Sequence, residues 1–147
     1  MDEEVTGGCQ CGRIRYRVRI DNDDAYLCHC RMCQRATGGV SIAFKGVAKA
    51  EVMWEREPDR YRSSPIAQRA FCRECGTPLT FEFLDGENMD LTIGSFDEPG
   101  RFQPRHNYAV ESMHEQWLDT TALPRYRTED NPNVVKRWMD AIGRLPD

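Results

Sequence analysis

The amino-acid sequence predicts a mainly β domain that ends in one short helix. Apolar and polar residues alternate strictly over residues 13–20, which is typical of a half-buried strand. The tetrapeptide Asp-Gly-Glu-Asn at 85–88 lies between two apolar runs and predicts a hairpin. Asn131 and Pro132 form a helix start signal, and apolar residues follow at helical spacing. A length of 147 residues fits a single domain over 1–147.

The strands can be taken in chain order. Residues 13–20 read R-I-R-Y-R-V-R-I, so one face is apolar and the other carries four arginines. A short strand at 26–28 leads into a cysteine cluster, and a helical turn at 31–36 follows it. Further strands are predicted at 40–44, 48–54, 79–84 and 89–93, with the segment 68–71 leading into another cysteine pair.

The C-terminal helix is predicted over about 132–143. Asn131 is the N-cap and Pro132 occupies the first helical position, where its missing N–H costs nothing. One face of this helix carries Val134, Val135, Trp138, Met139 and Ile142.

Charge and composition exclude some functions. Twenty basic and 24 acidic residues give a net charge of −4, which argues against nucleic acid as the main partner. No apolar run approaches the roughly 20 residues of a membrane span. The acidic start, MDEEVTGG, lacks the apolar stretch of a secretory signal, so we expect a cytoplasmic location. The oligomeric state is left open.

Cysteine is the most informative residue type. The chain has seven cysteines, and an odd number cannot all form internal disulfides. In a reducing compartment, clustered cysteines indicate metal binding or catalysis. They occur as Cys9-x-Cys11, Cys28-x-Cys30-x-x-Cys33 and Cys72-x-x-Cys75.

The two pairs predict a closed structural site. Structural zinc takes four ligands in a tetrahedron, and each pair can point two sulfurs at one ion. Cys9, Cys11, Cys72 and Cys75 would then tie the N-terminal strands to the middle of the chain. We expect loss of that metal to unfold the domain.

The other three cysteines predict an open site. Cys28, Cys30 and Cys33 supply three ligands, and a free fourth position is typical of catalytic zinc. Alternatives stay open: reactive thiols or a redox disulfide without metal, closure by His29 or a distant histidine, or exchange of a ligand with the other group. An extended backbone would point His29 away from the sulfurs. All-thiolate sites favour zinc or iron, and iron would colour the protein.

Three motifs carry a resemblance to a known family. They are G-G-C-Q-C-G at 7–12, C-H-C-R-M-C-Q-R at 28–35 and F-C-R-E-C-G-T-P-L at 71–79. In this order they resemble the glutathione-dependent formaldehyde-activating enzymes, a family that includes the centromere protein V type zinc domain. The resemblance covers about residues 5–127.

The resemblance implies a zinc-bearing antiparallel β fold of the mammalian suppressor-of-Sec-four type, which is β-tent-like. It implies two zinc ions per chain: a structural ion at the two cysteine pairs and a second ion at Cys28, Cys30 and Cys33. It further implies a carbon–sulfur lyase that joins glutathione to formaldehyde, giving S-hydroxymethylglutathione.

Glutathione carries two carboxylates, so its site should offer cationic groups. The candidate glutathione-binding residues are Arg31 and Arg35, which lie beside the three-cysteine cluster, and Lys45, at the end of the next predicted strand. His106 is a candidate proton carrier. Another thiol could replace glutathione as the partner. The alternatives to an enzyme are a non-enzymatic zinc module for a protein or nucleic acid partner, and a thiol redox or metal sensor.

Overall fold

The computed structural model describes residues 2–146. These residues form two compact units, the first ending at His114 and the second beginning at Glu115. Among the described residues, the first unit contains ten strands and one α-helix, and the second contains one α-helix; short 3₁₀ helices occur in both. The mainly β class with a C-terminal helix is therefore confirmed. That residues 1–147 form one domain stays a prediction.

Ten strands follow one another along the described part of the first unit. They are β1 (Glu3–Gly8), β2 (Arg15–Ile20), β3 (Asp24–Cys28), β4 (Ile42–Ala48), β5 (Val52–Trp54), β6 (Asp59–Ser64), β7 (Ala67–Phe71), β8 (Thr80–Phe83), β9 (Asn88–Thr92) and β10 (Gln103–Tyr108). The helices are α1 (Arg31–Thr37) in the first unit and α2 (Pro132–Ile142) in the second.

The strands form two sheets. The smaller has the order β1-β2-β5, and the larger has the order β10-β3-β4-β9-β8-β7-β6. All pairings are antiparallel except β10 with β3, which is parallel. The predicted hairpin is the antiparallel pair β8–β9. The predicted strand at 48–54 is interrupted, because Ala48 ends β4, Lys49–Glu51 forms a 3₁₀ turn and Val52–Trp54 forms β5.

The main core includes buried residues from both sheets. From β2 it receives Tyr16, Val18 and Ile20, which confirms the predicted apolar face of the alternating segment. The larger sheet adds Leu91 and Ala70. Each fully buried large side chain contributes on the order of 1.5–3 kcal/mol of transfer free energy. This burial ties the smaller sheet to one face of the larger one.

The larger sheet has a second face with different residues. Because side chains alternate along a strand, neighbours of the core residues point the other way. Phe44 of β4 belongs to a separate buried cluster with Cys28, Cys33 and Ile42. This second face carries the three-cysteine motif, whereas the core lies on the opposite side of the strands.

The second unit contains α2, which begins at Pro132 as predicted and ends at Ile142, one residue before the predicted end. The Asn131 side chain accepts hydrogen bonds from the N–H groups of Asn133 and Val134, and Gly143 ends the helix at a φ of 75°. Neither helix of the described residues has the length and apolar composition needed to cross a membrane.

Candidate metal centres and the adjoining pocket

The four-cysteine group is built from two turns. Cys9 and Cys11 lie in the turn between β1 and β2, and Cys72 and Cys75 lie in the turn after β7. The second turn is closed by Gly76, whose N–H donates to the Cys72 carbonyl at 2.7 Å. Its φ of 78° is a conformation that glycine adopts without strain. Each turn therefore presents two sulfurs to the same point.

The sulfur geometry fits one tetrahedral metal ion. The Sγ atoms of Cys9 and Cys11 are 3.6 Å apart, and those of Cys11 and Cys72 are 3.8 Å apart. Four sulfurs at about 2.3 Å from one zinc ion lie about 3.8 Å from one another. All four ligand atoms are within 4.8 Å of each other, and none forms a disulfide. These residues therefore fit a closed thiolate metal site.

Hydrogen bonds around this group favour the thiolate form of Cys72. The Ile14 N–H donates to Cys9 Sγ at 3.2 Å, and the Arg13 guanidinium donates to Cys72 Sγ at 3.8 Å. Although burial opposes it, backbone N–H groups and Arg13 lower the pKa of Cys72. Arg13 also pairs with Asp59 at 2.8 Å. The site thus connects the turn of the smaller sheet with the end of β7 in the larger one.

The three-cysteine group surrounds the start of α1. Cys28 is the last residue of β3, Cys30 is the N-cap of α1, and Cys33 lies in its first turn. The Cys30 sulfur accepts the Cys33 N–H at 3.3 Å, which is a capping contact made by sulfur. The Sγ atoms of Cys28 and Cys33 are 3.6 Å apart, and all three ligand atoms lie within 4.8 Å of one another. Three sulfurs thus fit three corners of a tetrahedron.

Arg69 is the charged partner of this group. Its Nη2 donates to Cys33 Sγ at 3.2 Å, its guanidinium lies 4.9 Å from the Phe81 ring centroid, and the residue is 4% exposed. The pKa of Cys33 is lowered to about 5, chiefly by the hydrogen bond from the Cys28 thiol and then by the bond from Arg69. Burial of Cys33 opposes this shift. Arg69 lies outside the cysteine motifs of the sequence. The feature that could have revealed it is a basic residue at an inward-facing position of β7.

His29 lies beside the cysteines and points elsewhere. It is fully buried, and its Nε2 is 2.9 Å from Asn107 Oδ1. Within the described residues, neither His29 nor another histidine or carboxylate adds a fourth ligand atom to the group of three sulfurs. The cysteines are thus grouped as their spacing predicts. The backbone N–H of His29 also donates to Tyr108, which holds β10 beside the cluster.

A pocket of about 710 Å³ adjoins the three-cysteine group. Five neighbouring strands supply its floor through side chains on the second face of the larger sheet, and all three cysteines line it. The floor residues are Tyr26, Phe44, Asp90, Phe81 and Arg69. This size lies in the range of small-molecule sites.

Asp90 is a partly buried acid of the pocket. Burial raises the pKa of its carboxyl to about 6, partly offset by a hydrogen bond from Tyr26. The His106 ring stacks on Tyr26, with centroids 5.1 Å apart and planes at 4°. His106 is therefore at the pocket, as a proton carrier would have to be.

The family comparison agrees with this geometry. The profile of the glutathione-dependent formaldehyde-activating enzymes matches residues 4–112, which is more than half of the chain. The chain belongs to this family. All seven cysteines of the chain fall inside the segment that matches the family.

Two further proteins are similar to this family member. An uncharacterized lyase of Schizosaccharomyces pombe is 33% identical over 85 residues, which cover 58% of this chain and 62% of that protein. The match thus spans less than two thirds of that relative. A Rhodobacter sphaeroides protein of known crystal structure has a TM-score of 0.56 at 20% identity, covering 71% of this chain and 99% of that one. This likeness supports the fold alone.

The predicted glutathione-binding residues lie outside the pocket lining. Arg31 and Arg35 are exposed on α1, and Arg31 donates to Gln34. Lys45 follows Phe44 in β4, so it points to the opposite face of the sheet. Its ammonium donates to Asn22 Oδ1 at 2.7 Å and to the Asp24 carbonyl at 2.8 Å. Their role in binding glutathione stays a prediction.

Replacement of Arg69 by methionine should weaken metal binding at the three-cysteine group about 10- to 100-fold. The change removes the cation that faces Cys33 and keeps a long side chain under Phe81. Competition with a chromophoric zinc chelator measures this affinity. Arg62→Met, on the exposed surface of β6, is the matched control. Equal affinity in both variants would contradict the role given to Arg69.

Proposed function

We propose that this protein is a zinc-dependent carbon–sulfur lyase that makes or breaks the adduct of a small aldehyde with a thiol, as in S-hydroxymethylglutathione. One observation carries the proposal: three cysteine sulfurs, close enough for one metal ion, line a pocket large enough for a small molecule. The name of the family and the lyase name of the Schizosaccharomyces pombe relative support the same reaction type.

We assign different roles to the two cysteine groups. Cys9, Cys11, Cys72 and Cys75 would hold a structural zinc ion, since four protein ligands close the site. Cys28, Cys30 and Cys33 would hold a second ion and leave one position for the substrate. When bound there, zinc supplies a site that holds the substrate sulfur as a thiolate. Thiolate sites of this kind suit a reducing compartment such as the cytoplasm.

The reaction needs no oxidant or reductant. In the cleavage direction, the C–S bond of R–S–CH₂–OH breaks and its electron pair stays on sulfur. The hydroxyl loses its proton, and the O–H electrons become the second bond of formaldehyde. The released proton finally restores the thiol. The protein must therefore stabilise a thiolate and accept one proton.

Asp90 is suited to accept that proton. Its carboxylate lies in the same pocket as the three cysteines, and Tyr26 orients it by a hydrogen bond. Burial raises its pKa to about 6, so the ionised, proton-accepting form predominates at pH 7. Arg69 holds Cys33 in its thiolate form from the other side.

Exchange NMR tests the proposal, because it measures how fast formaldehyde passes between its free and thiol-bound forms. We expect the zinc-loaded protein to accelerate this exchange, and Asp90→Asn to lose about 10²-fold or more of the acceleration. The ratio of wild-type to variant rate should rise with pH through about 6 and then level off. Asp85→Asn, in the exposed β8–β9 turn, is the control. If no thiol adduct exchanges faster with protein than without, the proposal is wrong.

A further inference from the structure

We propose that the pocket selects a thiol adduct whose sulfur carries an uncharged apolar group, aromatic or branched alkyl, in preference to the glutathione adduct. This inference rests on the lyase function proposed above and names its substrate class. Two features of the pocket support this inference: the sign of its charges and the apolar character of its lining.

The charges of the pocket oppose glutathione. Glutathione has two carboxylates and one ammonium group, so it is an anion at neutral pH. Arg69 is the one arginine among the lining residues, and no lysine accompanies it in this part of the described structure. Two acids, Asp90 and Glu111, line the same pocket. Apart from the thiols and His106, the formal charge of the lining is therefore 1 − 2 = −1.

Arg69 is already committed to other partners. Its guanidinium bonds to Cys33 Sγ, lies against the Phe81 ring and is almost fully buried. Turning it toward a substrate carboxylate would leave a cysteine thiolate without its cation. Lys45 cannot take its place, because it is on the other face of the sheet and bonds to Asn22 and Asp24. A carboxylate in this pocket would thus be desolvated without a partner, which is costly.

The aromatic residues that line the pocket suit an apolar substituent. On one side Tyr26 packs against Phe44, with ring centroids 5.8 Å apart, and on the other Phe81 and Phe83 pack edge to face at 5.2 Å. Met32 and Ile66 also line the pocket and are 47% and 63% exposed. An aromatic or branched alkyl group would remove this apolar surface from water and could pack against the rings. The group would extend from a sulfur held at the cysteines.

A matched pair of thiols tests the inference. Calorimetric titration of the zinc-loaded protein should give a Kd for 2-phenylethanethiol at least tenfold lower than that for glutathione. Binding of the apolar thiol should shift the NMR signal of the Met32 methyl group, because that group lines the pocket. Exchange NMR should show the same preference between the two formaldehyde adducts. Binding and turnover are thus measured separately.

Two charge variants locate the effect. Ile66→Lys adds a cation to the pocket, so it should raise the Kd for 2-phenylethanethiol and lower the Kd for glutathione, each at least threefold. Met53→Lys adds the same charge on β5, at an exposed apolar residue outside the lining, and should change neither value. Equal effects of the two variants would contradict binding in this pocket.

The outcomes separate the two proposals. If the glutathione adduct binds and exchanges as well as the apolar one or better, the substrate class is wrong and the lyase function stands. If the apolar thiol binds tenfold more tightly but no adduct exchanges faster, the lyase function is wrong and the pocket preference stands. If neither thiol binds measurably, the substrate class is wrong.

Discussion

Replacement of Cys72 by serine should unfold the first unit of the protein. Cys72 is fully buried, and its sulfur belongs to the group that joins the β1–β2 turn to the turn after β7. Binding of a structural zinc contributes about 10–16 kcal/mol in small domains, whereas a whole domain is stable by only about 5–15 kcal/mol. Loss of this zinc site therefore removes about as much free energy as the whole net stability of a folded domain.

Thermal unfolding followed by circular dichroism, together with zinc analysis, measures this effect. We expect Cys72→Ser to show no cooperative transition and to lose the structural zinc. Cys30→Ser is the matched control, because it makes the same chemical change in the other group. A folded Cys72→Ser protein with wild-type melting temperature would show that the four-cysteine group does not stabilise the fold.

Replacement of Cys30 by serine should abolish turnover and leave the fold intact. Cys30 lines the pocket and supplies one of three sulfurs, so its loss leaves two protein ligands for the second metal ion. The same residue caps α1 by accepting the Cys33 N–H. Serine is among the best N-cap residues, so the helix should persist without the sulfur. The expected loss of exchange activity is at least 10³-fold.

Metal content checks this prediction independently of turnover. Wild type should hold about two zinc ions per chain and Cys30→Ser about one, with unchanged circular dichroism. If the variant keeps both ions and full activity, the three-cysteine group is not the catalytic site. If wild type itself holds one ion, reactive thiols replace metal as the interpretation of this group.

The sequence predicted well those features that depend on local pattern. Strict alternation at 13–20 placed Tyr16 and Val18 in the core, because every second side chain of a strand shares a face. The cysteine spacings predicted both groups, because two ligands in one tight turn must point to the same ion. The parallel pairing of β10 with β3 was not predicted, since no local signal specifies a distant strand partner.

The pocket itself had to come from the tertiary structure. Arg69 and Cys33 are 36 residues apart and meet because α1 and the Arg69 side chain of β7 lie on the same face of the larger sheet. Lys45 shows the converse case, since it follows a pocket residue directly yet lies on the other face. Closeness along the chain suggested a glutathione contact, and strand alternation decided where the side chain points.

By itself, the sequence determined the mainly β class, the two cysteine groups and the family resemblance. These follow from residue type and short spacing, which act over a few bonds. Tertiary structure alone decided which charges and which aromatic rings line the pocket, because residues from five strands meet there. The cysteine groups can therefore be anticipated from motifs, whereas the lining of the pocket depends on how the sheet aligns Phe81, Arg69 and Asp90 around the cysteines.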